Sequence, residues 1–229
     1  MGCFVAEGNK LVTDMLPSFD CHWLIATSDW LENHPNAKAD MVIDAERDEI
    51  RKASGLTTPQ EVIAVFKKPA YKLSSSEVEQ QLVIAADCIQ DPGNLGTIIR
   101  LADWFGIEHI VCSLDCVDVY NPKTVQATMG ALSRVKVHYV SLPDFLDKHK
   151  SSPVYGTFLD GDDLYQTDLS ANGIIVMGNE GNGISKEIER LVNKRLFIPN
   201  YPIGTETSES LNVAMATAIV CAEFRRRLR

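Results

Sequence analysis

The sequence predicts an α/β protein in two parts, a small N-terminal unit followed by a larger and mostly parallel sheet covered by helices. Three observations lead there. From Gln81 onward, short continuous apolar runs alternate with segments of helical period, which is how parallel strands buried on both faces read. Before residue 68, shorter strands and helices alternate. Between the two parts, residues 68–80 are polar, carry Pro69, Lys72 and three consecutive serines, and show no apolar period, so they read as a linker. A chain of 229 residues accommodates one large domain or two small ones.

In order along the chain, Cys3–Ala6 reads as a strand. Asn9–Leu16 reads as a helix, with Leu11, Val12, Met15 and Leu16 on its apolar side. His22–Ala26 is a second strand, and Thr27, Ser28 and Asp29 are a cap cluster opening the next helix. Asp40–Ile43 is a strand, Glu46–Ala53 a helix and Val62–Phe66 a strand. In the larger part the expected strands are Leu82–Ala86, His109–Ser113, Lys136–Tyr139, Val154–Phe158, Gly173–Met177 and Arg195–Ile198. The expected helices are Leu95–Phe105, Pro122–Ala131, Pro143–Lys150 and Ile184–Asn193, with a long last one over about Ser210–Arg227. Asp160, Asp162 and Asp163 read as a solvated turn, His109 as a core or strand-end histidine, and Trp104 and Phe105 as core residues.

Composition narrows the function. Hydrophobic residues make up 45% and charged residues 23%, the profile of an ordinary globular protein. No apolar run approaches the ~20 residues that span a bilayer, and Met1–Ala6 carries neither the basic start of a signal peptide nor a myristoylation pattern. Six cysteines without a Cys-x-x-Cys pair read as buried reduced thiols of a cytoplasmic protein, and no metal site is expected. The net charge of −9 argues against a general nucleic-acid binder unless basic residues cluster. Phe224–Arg229, with four arginines, is one such cluster; its plainer reading is a solvated helix end.

Three segments place Gly, Asn, Glu or Arg directly after a buried strand, where parallel sheets bind ligands. In Asp87–Arg100 a Pro-Gly turn precedes a helix that Asn94 is positioned to cap. Arg100, flanked by Ile98, Ile99 and Leu101, needs an anionic partner, either Asp103 or a bound phosphate or ribose. In Gly173–Ser185 the glycines Gly178, Gly181 and Gly183 run in the reverse order of a dinucleotide fingerprint, which excludes that reading. Glu180 in this loop suits a cationic or hydroxyl-bearing partner. In Phe197–Ala216 a strand leads through a polar loop to a helix rich in small residues, with Ser210 and Asn212 at its start.

Taken together, Asn94-x-Gly96-x-x-x-Arg100, Gly178-Asn179-Glu180-Gly181, and Ile198-Pro199 followed by Ser210-Leu211-Asn212-Val213-Ala214 resemble the three motifs of SpoU/TrmH-type SPOUT RNA 2′-O-ribose methyltransferases, in the family's order. The resemblance covers residues 81–229. It implies a parallel sheet whose C-terminal segment threads a deep trefoil knot, an exception to the rule against knots. It further implies S-adenosylmethionine as cofactor, held around Met177, Gly178, Ile198 and Leu211, and a homodimer in which Arg100 works near the partner's cofactor. Asn94, Arg100, Glu180, Ser210 and Asn212 would form the catalytic set. Residues 1–67, through Phe4–Lys10, are similar to the L7Ae/L30e-type RNA-binding domain of rRNA-directed members, which points to rRNA as substrate. The alternatives are a tRNA 2′-O-methyltransferase and a silent RNA-binding or assembly protein on the same fold. Two departures accompany the resemblance: the loop from Ile198 to Leu211 is longer than in many members, and the chain starts after the point where a basic first helix would stand, so a truncated N-terminus is expected.

Overall fold

The computed structural model describes residues 2–202 and 210–227. The lengthened loop expected between Ile198 and Leu211 falls mostly on residues outside this set. In chain order the first elements are β1 (Cys3–Glu7), α1 (Asn9–Met15), β2 (Cys21–Ala26), α2 (Ser28–Asn33), β3 (Met41–Asp44), α3 (Arg47–Ala53) and β4 (Val62–Lys67). Then come α4 (Ser75–Gln80), β5 (Leu82–Ala86), α5 (Pro92–Trp104), β6 (His109–Ser113), α6 (Pro122–Thr128), β7 (Lys136–Val140) and α7 (Leu142–Lys148). The last are β8 (Val154–Asp163), β9 (Gly173–Met177), α8 (Lys186–Glu189), β10 (Lys194–Phe197) and α9 (Val213–Arg226).

The chain divides into two units, Met1–Ala70 with Asp118–Arg134, and Tyr71–Val117 with Val135–Arg229. The first holds a four-stranded sheet in the order β1-β4-β2-β3, antiparallel except for the β2–β3 pair. Thr27 caps α2 by accepting from the Trp30 N–H, as its residue type predicts. Helix α6 belongs to this unit although the sequence pattern groups it with the later strands; Tyr120, just before it, packs its ring on Phe4 of β1 with centroids 4.8 Å apart.

The second unit is a six-stranded sheet in the order β10-β8-β9-β5-β6-β7, parallel at every pairing. On one face Val83, Ala85, Val111, Val154, Ile174 and Val176 pack under Val78 of α4, Leu142 and Leu146 of α7, and Ile188 of α8. Each such leucine contributes about 1.5–3 kcal/mol by leaving water. Helices α5 and α9 pack on each other, and Phe224 of α9 meets Tyr155 of β8 edge to face at 4.9 Å.

Several expected boundaries move, each for a local reason. The linker segment carries α4, closed at its start by a reciprocal capping box between Ser74 and Glu77. Helix α8 is a single turn where ten residues were expected. The acidic turn is instead the end of β8: Asp162 and Asp163 pair with Leu196 and Phe197 of β10, and Asp160 forms an ion pair with Arg195. Trp104 is not core but 84% exposed, since α5 ends with its outer face in solvent.

The arginine tail is also not a free basic cluster. Arg225 donates to the carbonyls of Phe105 (2.6 Å) and Gly106 (2.9 Å), beyond the last turn of α5. Arg226 and Arg227 both bind the carboxylate of Glu223, which is 3% exposed, and Arg227 also reaches the carbonyls of Leu164 (3.1 Å) and Tyr165 (2.7 Å). Hydrogen bonds from Arg226, then Arg227, hold the Glu223 carboxyl down at about 2. Removing one member of such a pair leaves a charge without its partner. Glu223→Ala should therefore cost about 3 kcal/mol and lower the melting temperature by roughly 6–12 °C. Calorimetric melts at neutral pH check this, and a drop under about 2 °C would contradict the assigned role.

A second buried polar pair makes the unit sensitive to acid. His109 on β6 and His138 on β7 share a hydrogen bond between Nδ1 and Nε2 at 3.1 Å, with both rings buried. Burial, then the neighbouring His109 and Lys136 charges, push His138 down to about 4. The unfolded chain binds a proton near 6.5, so between 6.5 and 4 it holds more protons than the folded protein. The stability this neutral histidine confers is complete above pH 6.5 and is lost as pH falls towards 4, on the order of 2–3 kcal/mol. Urea melts at pH 7 and 4.5, compared with those of His138→Gln, test it: the variant should lose much less stability over that interval, and equal losses would refute the assignment.

Candidate active site

The site grows from three strand ends. After β5, Asp91 caps α5 by accepting the Asn94 N–H at 2.8 Å, with Pro92 at the first helical position. Asn94 is therefore not the cap that its place in the sequence suggested. Its side chain is free to point elsewhere, and its Nδ2 donates to Glu180 Oε1 at 2.9 Å.

After β9 the chain turns back on itself within the Gly178–Ser185 loop. Asn179 and Gly183 exchange backbone hydrogen bonds, both 2.9 Å. Asn179 Oδ1 accepts from the Gly181 and Asn182 N–H groups at 2.9 and 3.1 Å. A Cβ at Gly178 would lie 2.3 Å from the backbone carbon of Gly183 and 2.3 Å from the nitrogen of Ile184, so only glycine fits there.

The third strand end leads to α9. Its cap is Asn212, whose Oδ1 accepts from the Ala214 and Met215 N–H groups at 2.9 and 3.3 Å. Ser210 lies outside the helix it was expected to open, exposed on the approach to it. The remaining donor of Asn212 goes to Asn94 Oδ1 at 3.0 Å. The three segments are thereby joined in one run of amides, Asn212 to Asn94 to Glu180. Each amide can occupy only one orientation, because its carbonyl side faces a donor and its NH₂ side faces an acceptor.

Glu180 stands in a cavity of about 520 Å³ between the middle of β8, the ends of β9 and β10 and the start of α9, the size range of small-molecule sites. Met177, Gly178, Ile198, Ser210 and Leu211 line it, joined by Thr157, Phe158, Leu159 and Ala216. Phe158 carries the guanidinium of Arg195 on its ring, 3.7 Å from the centroid, and Arg195 in turn binds Glu189 at 2.7 Å and Asp160. The Asp160 carboxyl is held below the usual carboxylate range by its hydrogen bond to Arg195. Glu189 is thus balanced, whereas Glu180 has two amide partners and no cation among the described residues. An uncompensated carboxylate in a part-buried pocket favours a cationic ligand such as a sulfonium.

Arg100 is not part of this cluster. It is exposed and makes no ion pair or hydrogen bond among the described residues. Six residues after Asn94, it lies about 240° round the helix and about 9 Å along it, on the outer face shared with Trp104. Of the wall residues, Phe158 was within reach of sequence reasoning, since it sits at the carboxyl end of a predicted strand; Asn179 gave no separate signal.

The sequence profile of the SpoU rRNA Methylase family matches residues 81–222. The chain is 35% identical over 171 residues to the 23S rRNA (guanosine(2553)-2′-O)-methyltransferase RlmP of Bacillus subtilis, covering 73% of this chain and 66% of that protein. The chain thus spans about two thirds of that relative's length. Among solved structures, a TrmH-family protein of Porphyromonas gingivalis superposes with a TM-score of 0.89 at 42% identity, covering 99% of this chain and 90% of that one. An AdoMet-bound rRNA methyltransferase from Sinorhizobium meliloti gives 0.86 at 30% identity, covering 100% and 88%.

Proposed function

Because this chain belongs to the SpoU rRNA methylase family, we propose that it transfers the methyl group of S-adenosylmethionine to a ribose 2′-OH in RNA, with rRNA as the substrate. The observation that carries the reading is the amide run Asn212–Asn94–Glu180 set against a pocket whose one unbalanced charge among the described residues is negative. The names of the B. subtilis and S. meliloti relatives support both the cofactor and the substrate class.

When bound, S-adenosylmethionine supplies an electrophilic methyl group on a sulfonium. Met177, Gly178, Ile198 and Leu211 would form the walls that hold it, and Glu180, fixed by Asn94, would oppose its positive charge. Asn212 keeps Asn94 turned towards Glu180, and Ser210 stands at the rim for the substrate ribose. Arg100 would clamp the phosphate next to the reacting ribose and orient the 2′-OH; a guanidinium, with a pKa above ~12, serves better as donor than as base.

Arg100 faces away from the pocket of its own chain, so its role calls for a second copy. Its neighbour on that face, Trp104, is a large exposed apolar side chain of the kind interfaces cover. We therefore take the active form to be a homodimer through the second unit. On the same reading the C-terminal segment threads the trefoil knot, residues 1–67 form the L7Ae/L30e-like RNA-binding domain, and residues 81–229 form the methyltransferase domain. The six free cysteines suit work in the reducing cytoplasm. No helix among the described residues is long and apolar enough to cross a membrane.

Calorimetric titration with S-adenosylmethionine, and separately with NADH, tests the reading. Micromolar binding of the first alone, followed by transfer of labelled methyl to transcribed large-subunit rRNA, is expected. Folded dimer that binds no S-adenosylmethionine would sink the methyltransferase assignment, and binding without transfer to rRNA or tRNA would favour a silent RNA-binding protein.

A further inference from the structure

The end of β5 touches the Gly178–Ser185 loop at both of its ends. The Asp87 backbone N–H donates to the Met177 carbonyl at 2.9 Å, extending the β5–β9 pairing by one residue. The Asp87 side chain is buried, and its Oδ2 accepts the Ser185 N–H at 2.7 Å, where the loop closes. The next residue, Cys88, offers its carbonyl to Asn179 Nδ2 at 2.7 Å, where the loop begins. Cys88 has a φ of 57°, a left-handed conformation that a residue with a side chain keeps only when its surroundings hold it. Two groups do so: Ser113 Oγ accepts its N–H at 2.9 Å, and Asn179 binds its carbonyl. Asn179 Nδ2 also lies 3.4 Å from Glu180 Oε2, the oxygen that Asn94 leaves free.

We propose that Asp87 and Asn179 are positioning residues that clamp the two ends of the pocket loop to the end of β5 and so fix the Glu180 carboxylate against the pocket. The proposal rests on the methyltransferase reading for its consequence and on geometry alone for the clamp. Asn179 separates two jobs within one side chain. Its oxygen shapes the loop through the Gly181 and Asn182 N–H groups, and its nitrogen ties the loop to Cys88 and Glu180.

Asn179→Asp keeps the oxygen and removes the donor, placing a second carboxylate beside Glu180. S-adenosylmethionine affinity should change by less than about 5-fold, since the added carboxylate offsets the displaced Glu180 charge towards the sulfonium, while turnover on transcribed large-subunit rRNA at pH 7 falls roughly 100-fold. In an Asn179→Ser background, Cys88→Gly should restore several-fold of the lost turnover, since glycine takes the left-handed conformation without being held. Parallel loss of affinity and turnover would overturn the proposal, and so would absence of that rescue.

Hydrogen exchange reads the clamp without chemistry. The Ser185 amide should exchange slowly in the wild-type protein, stay slow in Asp87→Asn, which retains an acceptor, and quicken at least about 10-fold in Asp87→Ala. Fast wild-type exchange overturns the clamp. Slow exchange in a wild-type protein that binds no S-adenosylmethionine upholds the clamp and overturns the functional reading instead.

Discussion

Arg100→Ala should leave S-adenosylmethionine affinity within about 3-fold of wild type and lower turnover by roughly 10³-fold or more. The two effects separate because the residue and the pocket lie on different faces. Arg100 is exposed on the outer face of α5 and does not line the pocket, which is built by Glu180, the middle of β8 and the ends of β9 and β10. Nothing in the pocket leans on Arg100, so its loss removes no wall. A guanidinium that grips a phosphate at two points and orients a hydroxyl contributes through position, and that contribution vanishes with the side chain. Arg100→Lys should recover only part of the turnover, because an ammonium offers a point charge in place of a planar fork. The checks are calorimetry for the cofactor and single-turnover methyl transfer for the chemistry. A loss of cofactor binding as large as the loss of turnover would show that Arg100 belongs to the pocket. Mixing Arg100→Ala with a pocket-dead variant such as the next one supplies a further check. Heterodimers with one intact composite site should regain activity if each Arg100 serves the other copy.

Gly178→Ala should abolish S-adenosylmethionine binding, raising its Kd at least about 100-fold, which corresponds to about 2.7 kcal/mol. The added Cβ would meet three backbone atoms, the Gly183 carbon and oxygen at 2.3 and 2.6 Å and the Ile184 nitrogen at 2.3 Å. Backbone cannot swing aside as a flexible side chain can, so the two arms of the loop must part. That breaks the paired Asn179–Gly183 hydrogen bonds and carries Glu180 away from Asn94. Overpacking of this kind also costs about 1–3 kcal/mol of stability, so the melting temperature should drop as well. Gly181→Ala is the matched control: its Cβ would meet only Asn179 Oδ1, at 3.6 Å, an ordinary contact. It should bind the cofactor nearly as wild type does. If Gly178→Ala binds equally well, the close approach does not matter to the pocket.

Much of this architecture is written in short-range pattern. The continuous apolar runs of β5, β6 and β9, three to five residues long, specify strands buried on both faces, and all three form where the pattern places them, in a sheet that is parallel throughout. The position of the site was legible for the same reason: ligands gather at the carboxyl ends of parallel strands, and Asn94, Glu180 and Asn212 each follow one. The family resemblance grouped them, and the structure joins all three by hydrogen bonds.

What the pattern did not hold was partner choice. Asn94 read as a helix cap because local caps are commonest, yet Asp91 takes that bond and leaves Asn94 for a glutamate 86 residues later. The arginines of the last helix read as free charge, yet Arg225 and Arg227 are spent on carbonyls 119 and 63 residues earlier in the chain. Trp104 read as core because tryptophan usually is, yet the outer face of α5 is open. Helix and strand formation depends on neighbours within about four positions, which the sequence displays directly. A hydrogen-bond donor accepts any well-placed oxygen, so its partner is decided by which loops the strand order sets side by side. By itself the sequence determined the elements, the parallel sheet and the edge where the pocket lies. Only the tertiary structure, by placing β9 between β8 and β5, decided that Glu180 answers to Asn94.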